Sequence, residues 1–338
     1  MKQGEFEPDR FFPSKLFAKI TDNRVDRPDL PRNLLLARRR RRSLTKDGKL
    51  ALLAADHPAR MVTSIRDDPL RMGRRHDLLA RVLRVMACSP FDGVLGTADV
   101  LEDLVVASSF LKSPTELFDG KLLIGSVNRG GVAGSSFELD DRVTGYDVEG
   151  AVHLRLDGVK FLLRFDPDDP LSLRTIRYCV EVAKECSAAR MPLFLEPLPV
   201  VRKDGKIKTD SDKSKLVKLV GVASAIGGSS SRVWLKLPYC EGFDEVAAAT
   251  SLPILLLGGE ASDNVRGLLG EIEQALNAGP NVRGVLMGRN LLYPPWEDPL
   301  PLAMAVNWMV HDGLGAEQAA AKMVKWSGKD LGVFRSND

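Results

Sequence analysis

Three apolar runs of this chain each carry one ionisable side chain where a buried strand is normally uncharged. The runs are GVKFLL at 158–163, PLFLE at 192–196 and RVWLKLPY at 232–239, and they hold Lys160, Glu196 and Lys236. A charged group in such a strand must be paired, must extend its head to water, or must change its protonation state. Three of them in one chain indicate a shared site.

The residue types in this trio suit one kind of chemistry. A lysine in a dry pocket beside a second cation has a lowered pKa, and its neutral amine attacks carbonyl carbons. A carboxylate next to the two amines moves protons between the reacting groups. The trio therefore predicts Schiff-base catalysis on a ketone.

The elements that would position these residues follow a regular rhythm. Amphipathic helical segments are predicted at 76–86, 171–187, 213–225 and 264–278. They alternate with short apolar strands at 50–55, 93–95, 121–126, 159–165, 192–196, 233–237, 253–257 and 282–287. Alternating strands and helices form a parallel sheet, and eight strands over about 240 residues match a (β/α)8 TIM barrel. A doubly wound open sheet is disfavoured because no glycine-rich loop follows the first strand.

The predicted organisation is one barrel over residues 49–338, including C-terminal helices at 301–311 and 315–326, preceded by an N-terminal extension over residues 1–48. A short helix is expected near 14–20, and a basic hairpin or lid is expected over 202–208. The segment 137–155 is expected to form a substrate-side loop and a helix.

In a barrel of this kind, polar residues at the carboxyl ends of the strands face the active site. Strands four, five and six would bring Lys160, Glu196 and Lys236 together, and Asp56 ends the first strand. These four residues are the predicted catalytic group. Asp56 could instead cap the first barrel helix, and Lys160 with Glu196 could be a structural ion pair.

A phosphate site is predicted after the last two strands, where this fold usually binds phosphate. Gly258, Gly259 and Gly288 would let backbone N–H groups approach an anion, and Arg289 would clamp it. Further substrate contacts are expected from four polar residues near other strand ends, namely His57, Ser126, Arg129 and Arg164.

Composition narrows the range of partners. The chain has 338 residues, 44% of them hydrophobic and 28% charged, with a formal net charge of only +3. Neither nucleic acid nor a membrane is an expected partner. No apolar leader opens the chain and its four cysteines are scattered, so a cytoplasmic location is expected. No cofactor is predicted, and the histidines lack metal-ligand spacing, so no metal site is predicted either.

Five consecutive arginines at 38–42 form the strongest charge run. They are interpreted as a solvated helix face or a subunit contact, and a homo-oligomer is an open expectation.

The strand motifs resemble a known family. GVKFLL at 158–163, FLEPL at 194–198, LKLP at 235–238 and GVLMGR at 284–289 are similar to strands four, five, six and eight of class I aldolases. The type in question is the tagatose-1,6-bisphosphate and sulfofructose-phosphate aldolase type, within the deoxyribose-phosphate aldolase superfamily. The resemblance covers about residues 50–295. It implies that Lys236 forms the Schiff base, with Lys160 and Glu196 assisting and Asp56 as the acidic residue of strand one.

The first strand departs from the family pattern, because it continues as DHPAR at 56–60. The chain more closely resembles barrel proteins associated with actinobacterial inositol catabolism. That resemblance implies 2-deoxy-5-keto-gluconate 6-phosphate as substrate, cleaved to dihydroxyacetone phosphate and malonate semialdehyde. Three residues could provide a cation that binds the carboxylate of this substrate, namely Arg129, Arg164 or His57.

Other functions stay open on the sequence. The barrel could bind a phosphorylated metabolite without chemistry, as a regulator that uses the arginine run. It could also be a deoxyribose-phosphate-type aldolase, or a metal-dependent barrel aldolase as a minor option.

Overall fold

A computed structural model describes residues 6–111, 117–129, 132–203, 205–210, 212–326, 328–329 and 331–334. In this part of the chain, eight parallel strands close into a barrel in the order β4-β3-β2-β1-β9-β8-β7-β5, with β5 returning to β4. The strands are β1 Leu50–Ala54, β2 Gly93–Gly96, β3 Leu122–Ser126, β4 Gly158–Phe165, β5 Leu193–Lys203, β6 Lys206–Thr209, β7 Val233–Leu237, β8 Ile254–Leu256 and β9 Val282–Met287. The predicted (β/α)8 barrel is confirmed.

The barrel interior is built by the alternation of side chains along each strand. In β1, Leu50, Leu52 and Ala54 point to the axis, while Ala51 and Leu53 belong to the core between strands and helices. The other strands add the rest of the interior cluster, which consists of Leu95, Leu122, Ile124, Phe194, Leu255 and Leu286, with Trp234 packed against it. The barrel is therefore filled with side chains, and space for a ligand exists only at its ends.

Helices cover the outside of the barrel. They are α1 Pro8–Phe11, α2 Ser14–Asp26, α3 Leu30–Ala37, α4 Arg75–Cys88, α5 Ala98–Ser108, α6 Val148–His153, α7 Leu171–Ala188, α8 Lys213–Ser224, α9 Phe243–Ala248, α10 Val265–Asn277, α11 Arg289–Leu292, α12 Leu300–Asn307 and α13 Ala316–Met323. In α10, a stripe of Leu268, Leu269, Ile272 and Ala275 is buried, and this spacing is that of one helix face. The four helices predicted between strands are all present, with ends displaced by at most two residues.

Strand β5 runs past the barrel. Beyond Glu196 it continues to Lys203 and pairs antiparallel with β6, with Val201 opposite Lys208. This arm is the basic hairpin expected over 202–208, of which residue 204 lies outside the described ranges. The arm and β4 enclose a small apolar cluster beside the barrel mouth, formed by Leu139, Leu162, Leu198 and Val200.

The arginine run lies at the amino-terminal end of the barrel strands. Arg38 is 2% exposed and pairs with Asp157 at 2.9 Å, immediately before β4. Arg40 reaches the same carboxylate at 2.8 Å, and Arg41 reaches Asp92, before β2, at 2.6 Å. The interpretation as a solvated helix face is wrong, because α3 ends at Ala37 and the guanidinium groups are used to bind carboxylates at the bottom of the barrel.

The C-terminal helices also close this end. His311 follows α12 and lies 3.0 Å from Asp92 and 2.8 Å from Asp47. The short helix predicted near 14–20 is longer than expected, since α2 extends to Asp26. None of the helices in the described ranges has the length and apolarity needed to cross a bilayer.

Candidate active site

Four charged side chains form a continuous row at the carboxyl ends of the barrel strands. Asp56 Oδ2 lies 3.0 Å from Nζ of Lys160, and Glu196 Oε2 lies 3.0 Å from the same nitrogen. The other oxygen of Glu196, Oε1, lies 2.9 Å from Nζ of Lys236. The row therefore alternates in sign from Asp56 through Lys160 and Glu196 to Lys236, and all four predicted catalytic residues meet in it.

The strand periodicity explains why these residues meet. Each stands two residues after an inward-facing position, so it points to the axis one layer above the apolar filling. Lys236 lies two residues after Trp234, Glu196 two residues after Phe194, and Asp56 two residues after Ala54. The polar row is thus the top layer of the barrel interior.

The two lysines differ in environment. Lys160 is fully buried and lies between two carboxylates, whereas Lys236 keeps 6% of its side chain exposed and contacts one. Burial lowers the pKa of Lys236, and the charge of Lys160 lowers it further against the pull of Glu196. Burial also disfavours the Lys160 cation, but Asp56 and Glu196 together outweigh it and raise its pKa. The neutral form is therefore favoured at Lys236 relative to an ordinary lysine, and the charged form is favoured at Lys160.

Both carboxylates of the row stay ionised. Burial alone would raise their pKa values, but Lys160 lowers the pKa of Asp56, and Lys160 with Lys236 lowers that of Glu196 to about 2. Asp56 caps no helix, because its Oδ2 is held by Lys160 and lies 3.2 Å from the hydroxyl of Ser126. Its Oδ1 has no hydrogen-bond partner among the described residues. Ser126 thus contacts one oxygen of Asp56, and the other oxygen lies 3.9 Å from Nδ1 of His57.

The loops after β8 and β9 are connected by a residue that the sequence analysis did not single out. The side-chain amide of Asn290 donates to the carbonyl of Gly258, and its Oδ1 accepts from the backbone of Ser262 at 2.8 Å. Gly259 has φ of +66°, a conformation that favours glycine. The guanidinium of Arg289 lies 3.7 Å from the exposed carboxylate of Glu260. Gly258, Gly259 and Arg289 thus stand together at the predicted phosphate site.

Gly288 has a packing role in the same region. A Cβ atom at this position would lie 2.4 Å from Cε1 of His57 and 2.7 Å from the carbonyl oxygen of Ala54. The imidazole of His57 therefore occupies the space that a side chain at 288 would need. Burial lowers the pKa of His57 to about 3, so the ring is neutral near pH 7 and does not supply the cation expected for a carboxylate.

Two of the arginines expected to bind substrate are engaged elsewhere. Arg164 donates to the carboxylate of Glu138, and at 3.0 Å to the backbone carbonyl of the same residue. Arg129 donates to the hydroxyl of Thr144 at 3.1 Å and lines a surface cavity with Phe137 and residues of its loop. Glu138 and Thr144 lie in the loop between β3 and β4, whose path the local pattern could not predict.

Arg60 is a mouth residue that the sequence analysis quoted but did not assign to the site. It ends the turn Pro58–Arg60 that follows β1, and its buried Nε has no hydrogen-bond partner among the described residues. Its charge lowers the pKa of both Asp56 and Glu196. The run DHPAR indicates a place for Arg60 at the mouth, because the arginine comes four residues after the aspartate that follows the strand. In the described part of the chain, His, Cys, Asp and Glu form no group of three or more that could hold a metal ion.

Comparison with solved structures agrees with this fold. Cgl0159 from Corynebacterium glutamicum is 35% identical, with a TM-score of 0.83 over 89% of this chain and 98% of that chain. A Schiff base forming fructose-1,6-bisphosphate aldolase is 20% identical, with a TM-score of 0.56 over 83% of this chain and 100% of that chain. At that identity the second likeness shows a common barrel fold.

Matches to curated proteins are short. Tagatose 1,6-diphosphate aldolase of Listeria monocytogenes is 38% identical over 65 residues, which are 19% of this chain and 18% of that enzyme. A 2-amino-4,5-dihydroxy-6-oxo-7-(phosphonooxy)heptanoate synthase of Streptomyces griseus is 28% identical over 142 residues, 41% of this chain and 49% of that enzyme. The chain spans less than half the length of these relatives.

Residues 48–309 match the model of the family described as Cgl0159-like. The match covers most of the barrel and includes every residue of the charged row. The chain belongs to the Cgl0159-like family.

Proposed function

We propose that this member of the Cgl0159-like family is a class I aldolase that acts on a phosphorylated keto sugar through a Schiff base on Lys236. The observation that carries the proposal is the unequal sharing of Glu196 by two buried lysines. Lys236 has one carboxylate and a lowered pKa, while Lys160 has two and a raised pKa. A neutral nucleophilic amine beside a protonated one is what attack on a ketone requires.

Schiff-base formation uses both lysines. The Lys236 nitrogen attacks the ketone carbon, and the Lys160 ammonium gives its proton to the carbonyl oxygen. The carbinolamine then loses water to give an iminium. Formation of the iminium consumes one proton and releases one water, and hydrolysis of the product iminium returns the proton and uses one water.

Glu196 is the group proposed to move the proton during cleavage. It takes the proton from the hydroxyl on the carbon that becomes the aldehyde, and the electrons of the breaking C–C bond pass to the iminium. The resulting enamine then receives the same proton on carbon. Asp56 keeps Lys160 protonated, and its free Oδ1 accepts a hydrogen bond from a substrate hydroxyl.

The phosphate group of the substrate is assigned to the loops after β8 and β9. Gly259 has open space beside its backbone, and Arg289 is held only loosely by Glu260, whose side chain is 89% exposed. A phosphate would compete well with that weak pair, because a guanidinium binds phosphate oxygens in a bidentate way.

For the substrate itself we propose 2-deoxy-5-keto-gluconate 6-phosphate, an intermediate of inositol catabolism, cleaved to dihydroxyacetone phosphate and malonate semialdehyde. The mouth supports an anionic substrate of this kind. Around Lys236 it places the cations Lys160, Arg60 and Arg289 next to the buried carboxylates of Asp56 and Glu196.

Borohydride reduction in the presence of dihydroxyacetone phosphate tests the proposal. We expect a covalent adduct on Lys236 that is lost in Lys236→Arg. Lys121 offers a matched control, because burial lowers its pKa to about 8, yet it lies at the other end of β3, bound to the carbonyls of Ser89 and Phe91. Lys121→Arg should keep the adduct.

Absence of an adduct in the wild type would overturn the aldolase proposal and favour a barrel that binds a phosphorylated metabolite without chemistry. Turnover measured in EDTA separates the Schiff-base route from a metal-dependent one. An undiminished rate excludes the metal-dependent aldolase.

A further inference from the structure

Arg60 is fixed by its backbone at the mouth of the barrel. Its amide N–H donates to the carbonyl of His57 at 2.9 Å, and its own carbonyl accepts from Ala133 at 3.0 Å. The first bond holds the turn after β1, and the second ties that turn to the loop after β3. The residue therefore stands on a rigid support, on the β3 side of its own strand.

The guanidinium of Arg60 is uncommitted. Its Nε is buried without a partner, and the side chain forms no ion pair with any described carboxylate. Arg164 and Arg289 also have an unpartnered Nε, but each has a carboxylate, because Arg164 is bound by Glu138 and Arg289 has Glu260 at 3.7 Å. Arg60 is half-buried, and a guanidinium that forms no ion pair can bind an anion without first losing a carboxylate partner.

The charge of Arg60 acts on both sides of the mouth. It lowers the pKa of Arg164 on β4 and that of Arg289 after β9. Three guanidinium groups that repel one another are thus held close to the lysine row. One phosphate at Arg289 would satisfy only the side formed by β8 and β9, and Arg60 would still lack an anion on the side of β3 and β4.

We propose that Arg60 binds a second anionic group of the substrate, carried by the half that leaves as the aldehyde. This inference rests on the proposed aldolase function and adds which residue binds the second anionic end of the substrate. The phosphate of the ketone half lies at the loops after β8 and β9, the reacting carbon at Lys236, and the second anion at Arg60. The anion is a carboxylate or a phosphate, since a guanidinium binds both through the same paired N–H donors.

Condensation of dihydroxyacetone phosphate with three aldehydes tests this assignment. Succinic semialdehyde carries a carboxylate, glyceraldehyde 3-phosphate carries a phosphate, and butanal is uncharged. For Arg60→Met, we expect kcat/KM for the preferred anionic aldehyde, relative to butanal, to fall about 10- to 100-fold. Arg60→Lys should recover part of this ratio, because it restores the charge without the paired donors.

Arg74→Met is the matched control. Arg74 belongs to the same connection between β1 and α4, but its side chain is 58% exposed and pairs with Asp68 at 2.8 Å. Its removal should leave the aldehyde ratio within about 2-fold of wild type, as expected for a surface ion pair.

Two results obtained with Arg60→Met would overturn the assignment of Arg60. One is an unchanged aldehyde ratio in Arg60→Met. The other is a loss of affinity for dihydroxyacetone phosphate, measured by borohydride trapping, that is as large in Arg60→Met as in Arg289→Met. That result would mean that Arg60 binds the phosphate of the ketone half together with Arg289. The anionic aldehyde that the wild type prefers identifies the second anion. A wild type that prefers butanal to both anionic aldehydes also overturns the assignment.

A separate readout keeps the test independent of the aldolase function. If wild type forms no adduct with dihydroxyacetone phosphate, the proposed chemistry fails, and calorimetric titration with malonate and with inorganic phosphate then decides the role of Arg60. If either anion binds to the wild type but not to Arg60→Met, Arg60 forms an anion site even without the proposed chemistry. If binding is equal in both proteins, or absent from both, Arg60 does not form an anion site.

Discussion

Oε1 of Glu196 lies 2.9 Å from Nζ of Lys236, while the other oxygen of the same carboxylate is used by Lys160. One negative charge thus serves two lysines. Lys160 also has Asp56, so Lys236 has less negative charge beside it than Lys160. In the proposed mechanism, this division of one carboxylate makes Lys160 the proton donor and Lys236 the nucleophile.

Replacing Lys160 should move the pH dependence of Schiff-base formation upward. Lys160→Met removes the cation that helps to lower the pKa of Lys236, and it leaves Glu196 to act on Lys236 alone. The pKa of Lys236 therefore rises, and the midpoint of the rate of adduct trapping against pH shifts to higher pH. Turnover should fall about 100-fold or more because the proton donor is lost as well.

Lys160→Arg is the control for that shift. It retains a cation next to Lys236 but cannot give up a proton near neutral pH. We expect its trapping profile to stay close to that of wild type while turnover is lost. A Lys160→Met profile that coincides with that of wild type would contradict the role assigned to Lys160.

Glu196 should contribute to stability in a pH-dependent way. Its pKa is about 2 in the folded protein against 4.5 for the free side chain, so the unfolded chain takes up the proton first as the pH falls. The stabilisation is present above pH 4.5 and is lost as the pH falls towards 2. It amounts to about 3 kcal/mol in total, of which about 2 kcal/mol is lost between pH 6 and pH 3.

Urea unfolding of wild type and Glu196→Gln at pH 6 and pH 3 measures this effect. The free energy of unfolding of wild type, relative to that of Glu196→Gln, should be lower at pH 3 than at pH 6 by about 2 kcal/mol. An equal difference at both pH values would show that the ionised carboxylate does not stabilise the row.

The contact between Gly288 and His57 should make position 288 intolerant of a side chain. In Gly288→Ala the new Cβ meets the His57 ring at 2.4 Å and the Ala54 carbonyl at 2.7 Å. We expect a loss of about 1–3 kcal/mol in the free energy of unfolding and weaker phosphate binding. Adding His57→Ala removes the first contact but not the second, so the double variant should recover only part of the loss.

Gly270→Ala provides the comparison for that variant. Gly270 lies in α10, and a Cβ atom there meets nothing within 4 Å. Its replacement should stabilise the protein by up to about 1 kcal/mol, because alanine favours a helix over glycine. A Gly288→Ala protein as stable as Gly270→Ala in urea would contradict the steric argument.

The arginine run should matter for folding in proportion to burial. Arg38→Met leaves Asp157 with the half-exposed Arg40 as its ion-pair partner and also removes donors to the carbonyls of Lys121 and Arg155. We expect a loss of about 3–5 kcal/mol, measured by urea unfolding.

Arg39→Met is the neighbouring control. The side chain of Arg39 is 80% exposed, although it contacts Asp119. Its loss should cost less than about 1 kcal/mol. Equal effects of the two substitutions would mean that the run acts as a surface charge and not as part of the barrel floor.

The sequence by itself determined the barrel and the charged row. Apolar runs alternating with amphipathic helices specify parallel strands, and the period of two along a strand decides which residues face the axis. Lys160, Glu196 and Lys236 could be placed together because each continues an inward-facing series at the end of its strand. That inference needs only local spacing and the closure of the sheet.

Only the tertiary structure decided which charges are paired. Arg164 binds Glu138 from the loop before its own strand, and Arg38 binds Asp157 at a separation of 119 residues. Such pairs depend on the paths of loops and extensions, which no repeating pattern records. For the same reason Arg60 could be recognised as the uncommitted cation only after the carboxylates around it were seen to bind other residues.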